Sequence, residues 1–146
     1  MTRDISFSNA EMPDQLTLTA DGPSCDKAVA QLVIRTDEGH PAWAWTAPLP
    51  HAFSAAFGDM TAEGMTGFLE RWADVETSST SAAPDYAELA PRQTTLDPAT
   101  YMDVRARDLP MLCHASGTAR EVCIFWEPAA GGAGHYFDRE MEITEQ

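Results

Sequence analysis

Three stretches near the C-terminus, 111–116, 121–126 and 135–141, either alternate apolar with polar positions or run apolar throughout, as strands do. The middle one, Val122-Cys123-Ile124-Phe125-Trp126, is apolar on both faces, which in a period-two strand requires cover above and below. An interior strand is expected there. A second meander is read at 15–20, 28–36 and 41–47, with turn signals at Asp21-Gly22-Pro23-Ser24 and Asp37-Glu38-Gly39. Ile5 and Phe7 alternate with polar neighbours as a short edge strand would.

The second turn decides where the tryptophans go. With Glu38-Gly39 as a two-residue turn, Ile34 opposes Trp43 and Leu32 opposes Trp45, and Leu16, Leu18, Leu32, Ile34, Trp43 and Trp45 share one face. A three-residue loop with Gly39 left-handed would instead set Trp43 against Val33 and Trp45 against Gln31. Hydrophobic patterning favours the first and turn chemistry the second, and the patterning is taken as the guide.

Between the meanders, Met65, Phe68, Leu69, Trp72 and Val75 recur at helical spacing, predicting an amphipathic helix over 61–76 with Asp59 or Thr61 as N-cap. Gly64 and Gly67 weaken it, so it must rely on packing against a sheet. One-turn helices are read at 52–57 and 86–89, and Asp97-Pro98 forms an N-cap and first-turn pair opening a short helix towards Arg105. The run 77–84 is polar and low in complexity, expected as a flexible loop. The chain as a whole, 1–146, reads as a single α+β domain. Its expected core is a mostly antiparallel sheet of six to seven strands, two three-stranded meanders, packed on one main amphipathic helix.

Charge narrows the choice of partners. Twenty-three acidic residues against nine Lys and Arg give −14, and Lys27 is the only lysine, which disfavours a nucleic-acid backbone or an anionic membrane and suits a basic protein. No apolar leader or membrane-length apolar window is present, so a soluble, cytoplasmic protein is expected. In that compartment Cys25, Cys113 and Cys123, which lack zinc-ligand spacing, are expected to be free buried thiols.

Strand geometry also limits the chemistry. A three-residue turn Gly117-Thr118-Ala119 pairs Ser116 with Arg120, His114 with Val122, Cys113 with Cys123 and Leu112 with Ile124, which sets the two cysteines close enough for a cross-strand disulfide under oxidation as the alternative to reduced thiols. Cys113 and His114, being neighbours in a strand, point to opposite faces and cannot act as nucleophile and base. His114 is expected to be a hydrogen-bonded core histidine. With His135 set opposite Trp126, the two imidazoles stand roughly 15–17 Å apart, too far for one metal ion. His40 and His51 sit near turns in the other half, so no metal site, cofactor or catalytic set is assigned. The glycine-rich stretch 127–134 lacks the lysine and hydroxyl of a phosphate loop and reads as a hairpin connection.

Two functional readings follow. Asp138, Glu140 and Glu142 alternate along the last strand in one carboxylate row, fit to receive a basic partner in a non-catalytic interaction module of inhibitor, immunity or adaptor type. The same edge could pair with a second copy of the chain. The alternative is a small enzyme or ligand carrier whose aromatic pocket is built from Trp43, Trp45 and Trp126, with Glu127 and His135 at its mouth.

Overall fold

The computed structural model of the protein describes residues 1–9, 11–24, 27–53 and 62–140. Strands β1 (Thr2–Ile5), β2 (Asp14–Asp21), β3 (Val29–Arg35) and β4 (Pro41–Pro48) form one antiparallel sheet in chain order. Strands β5 (Glu76–Ser79), β6 (Pro110–Gly117), β7 (Arg120–Glu127) and β8 (Gly132–Glu140) form a second. Helices α1 (Leu49–Ala52) and α2 (Ala62–Trp72) connect the sheets, and α3 (Pro98–Ala106) lies between β5 and β6. The fold is α+β, but the expected single sheet of six to seven strands with one main helix is corrected to two four-stranded sheets and three α-helices among the described residues.

Alternation places Leu16, Leu18, Leu32 and Ile34 of the first sheet against Leu112, Val122 and Ile124 of the second, in one core that also takes Phe68 and Trp72 of α2. The opposite face of the second sheet carries Met111, Cys113, Cys123, Phe125 and Phe137 beneath Tyr101 and Val104 of α3. Strand β7 is thus covered on both sides, as its doubly apolar pattern requires. The α3 start is the one read from Asp97-Pro98: the Asp97 carboxylate accepts from the Thr100 amide at 2.7 Å. The N-cap of α2 expected at Asp59 or Thr61 lies outside the described residues.

At the β3–β4 turn both readings hold, in different places. Gly39 takes φ +85° and Arg35 pairs with Pro41, as a three-residue loop demands. A bulge at Ala42 then advances the register, so that Ile34 faces Trp43 and Leu32 faces Trp45. Burial of the indoles and the conformation of Gly39 are both satisfied by one extra residue. The β6–β7 hairpin behaves similarly. Gly117, not Ser116, pairs with Arg120 across a tighter turn with Ala119 at φ 63°, and Ser116 bulges out, leaving His114–Val122, Cys113–Cys123 and Leu112–Ile124 as expected.

The polar run expected as a flexible loop contains structure. Residues 76–79 are edge strand β5, which pairs with Pro110 to Cys113 of β6 through main-chain bonds that need no apolar side chain. Thr80, fully buried, donates its hydroxyl to Val104 O at 2.7 Å and accepts from the Leu109 amide at 2.9 Å.

Candidate functional site

His114 sits on the inner face of β6, between the sheets and nearly inaccessible. Trp43 Nε1 donates to its Nε2 at 3.1 Å, which leaves the ring proton on Nδ1, 2.9 Å from the Ala115 carbonyl that accepts it. Burial pushes the imidazole down to about 4, against a partial lift from the Ala115 carbonyl and the Asp138 charge. It is the neutral, hydrogen-bonded core histidine expected from its position. Trp45 packs edge-on against it at 5.8 Å and continues to Trp72 at 5.7 Å. Trp72 is itself fixed to the Ala115 carbonyl at 2.8 Å.

Cys113 faces the other way, beneath α3. It is joined to Cys123, S–S 2.08 Å, so the expectation of free thiols is corrected for this pair; Cys25 lies outside the described residues. The pairing itself follows from the register, which sets the two side chains directly opposite. The thiol expectation had rested on compartment alone. Glu121 brings a carboxylate oxygen within 4.8 Å of both sulfurs, but disulfide sulfurs are not thiolate ligands, and Glu121 is bound to Arg139.

At the other edge of the core, β4 and β8 approach one another and an open groove of about 980 Å³ lies between them. Trp45 forms part of one side; Arg92, Arg120, Asp138, Arg139 and Glu140 line the rest with their neighbours. Strand β8 begins at Gly132, opposite Glu127, so the hairpin turn spans only 128–131 and His135 pairs with Ile124 and not, as expected, with Trp126, whose partner is Ala133; a bulge at Tyr136 shifts the register only beyond His135. His135 Nε2 is 2.8 Å from the Asp138 carboxylate. Asp138 and Glu140, opposite Val122 and Arg120, share a face as the alternation predicts; Glu142 lies outside the described residues.

The outer main chain of β8 is partly occupied. The Asp138 amide donates to Gln93 O at 2.7 Å, Gln93 Nε2 donates to Asp138 O at 3.1 Å, and the Thr94 hydroxyl donates to Tyr136 O at 2.6 Å. Strand addition by a second copy would have to displace these bonds at Asp138 and Tyr136.

The five residues of the aromatic-pocket reading are not brought together. Trp43 and Trp45 pack, partly buried, against the core; Trp126 meets Phe7 edge-on at 6.2 Å. Glu127 forms a two-pronged ion pair with Arg107, both contacts 2.7 Å, which holds its carboxyl below the usual range. His135 is engaged by Asp138. The groove arginines were not singled out from sequence. The available signal was scarcity: with nine cations in the chain, three on one groove is a concentration that only the fold reveals.

Fold and site together define an α+β protein of two facing four-stranded sheets, with its histidine-tryptophan pair and disulfide inside and a polar groove at one edge. Comparison with protein-family models, with curated proteins and with solved structures gives no match. No described helix is long and apolar enough to cross a membrane.

Proposed function

We propose that the protein is a non-catalytic interaction module, of inhibitor, immunity or adaptor type, that meets a basic partner protein through the carboxylate-bearing edge formed by β8. The observation that carries this reading is the exposed pair Asp138 and Glu140 on a strand at the end of its sheet, in a chain of formal charge −14. Two features support it further. His114 and the Cys113–Cys123 pair are spent on packing, hydrogen bonding and cross-linking. Because Gln93 and Thr94 occupy the strand edge, a partner would be met by side chains and the contact would be largely electrostatic.

Capture from source lysate at about 50 and about 500 mM salt, beside an Asp138→Lys/Glu140→Lys variant, tests it. A basic partner should be retained at low salt, released at high salt and lost to the variant. Capture that ignores both salt and charge reversal would overturn the reading.

A further inference from the structure

We propose that reduction of the Cys113–Cys123 disulfide opens a binding site for a zinc-type divalent cation, held by the two thiolates and the Glu121 carboxylate. One ligand atom from each of these three residues lies within 4.8 Å of the other two, and all three residues are buried. Strand pairing makes the convergence. Cys113 and Cys123 stand directly opposite one another, and Glu121, two residues before Cys123, shares its face of β7.

Two sulfurs and one carboxylate oxygen suit zinc, whereas magnesium and calcium take oxygen ligands. Tetrahedral zinc with Zn–S bonds of ~2.3 Å sets its two sulfurs about 3.8 Å apart. Directly opposed cysteines, with Cα atoms 4.1 Å apart, reach that separation by side-chain rotation once the covalent bond is gone. Charge balances as well. Two thiolates, one carboxylate and a dication leave a single negative charge, and the guanidinium of Arg139, which already donates to Glu121 Oε1, cancels it. The second oxygen of Glu121 is then the one that serves the metal.

The surroundings favour a cation. Glu76, opposite Cys113 on the four-residue edge strand β5, has a largely exposed carboxylate 3.7 Å from Arg139, and the chain carries −14 overall. In the oxidised protein the site is closed, because disulfide sulfurs lack the thiolate charge. The opening step is thiol–disulfide exchange: a reducing dithiol gives up two electrons and two protons and closes its own disulfide, while the Cys113–Cys123 bond breaks to two thiols. The arriving cation displaces both thiol protons to solvent. Metal is thus held under reducing conditions and released on oxidation.

Cobalt(II), a spectroscopic stand-in for zinc, tests the assignment in a Cys25→Ser background, which leaves two thiols. After reduction by a phosphine and its removal without oxygen, the protein should take up cobalt to a one-to-one endpoint, with thiolate-to-cobalt charge-transfer bands that added zinc abolishes. The oxidised protein should show none. Cys113→Ser should weaken cobalt binding about a hundredfold and Glu121→Gln about tenfold, with Glu70→Gln, exposed on α2, unchanged. Zinc should also raise the urea midpoint of the reduced protein, and leave that of the Cys113→Ser/Cys123→Ser variant unmoved, a readout that holds even where reduction loosens the fold. Absence of thiolate bands with equimolar cobalt, unchanged affinity in Glu121→Gln, or a reduced protein whose urea midpoint ignores zinc would overturn the proposal.

Discussion

Acidification from pH 7 to 4.5 should cost this protein stability through a single imidazole. His114 is held at about 4 by burial, against about 6.5 for an unfolded histidine, so below pH 6.5 the unfolded chain takes up a proton that the folded one refuses. Stability from the neutral ring is complete above pH 6.5 and is lost as pH falls towards 4, at about 1.4 kcal/mol per unit and about 3 kcal/mol in all. Urea unfolding followed by tryptophan fluorescence, at pH values from 7.5 to 4.5, measures the slope. Asp97, Asp108 and Glu127 have carboxyls held below their usual range by hydrogen bonds from Thr100, from Ser79 and Ser81, and from Arg107. Their contributions are lost at lower pH, so the upper part of the window reports His114. The control is His114→Gln, whose amide oxygen can still accept from Trp43 but does not titrate. Wild type should lose about 2–3 kcal/mol more than the variant between pH 7 and 4.5. Parallel losses in the two proteins would refute the assignment of a buried, neutral His114.

Three further outcomes are expected. Reduction of the Cys113–Cys123 bond, or the double Ala variant, should lower unfolding free energy by about 2–3 kcal/mol, the loop-closure value for a separation of 10 residues; an unchanged urea midpoint would contradict it. Thr80→Val should cost about 1–3 kcal/mol by stranding the buried Leu109 amide and Val104 carbonyl, whereas Thr80→Ser, which keeps the hydroxyl, should cost less in the same assay. Gly117→Ala should cost about 1–3 kcal/mol, because a Cβ there would stand 2.8 Å from the Ala52 carbonyl oxygen. Faster hydrogen exchange of the Thr118 amide, bonded to that oxygen at 2.9 Å, should accompany it.

What was legible in advance was whatever depends on local periodicity. The apolar alternation of β2, β3, β4, β6 and β7, the Asp97 cap of α3 and the opposite orientations of Cys113 and His114 follow from repeats of two or 3.6 residues. The polar strand β5 was missed because its order comes from main-chain pairing with β6, which leaves no apolar signature. His135 was set against the wrong partner because β8 already begins at Gly132, inside the glycine-rich stretch, where residues without apolar side chains leave no period-two signal to mark the start of a strand.

Taken alone, then, the sequence determined the strands with a buried face, the start of α3 and the impossibility of a Cys113–His114 dyad, since these are properties of consecutive residues. Only the tertiary structure decided that there are two facing sheets, that Cys113 and Cys123 are bonded, and that Arg92 and Arg120 share a groove. Residues far apart in the chain come to line one groove through strand order and sheet packing, and no repeat along the chain encodes that arrangement.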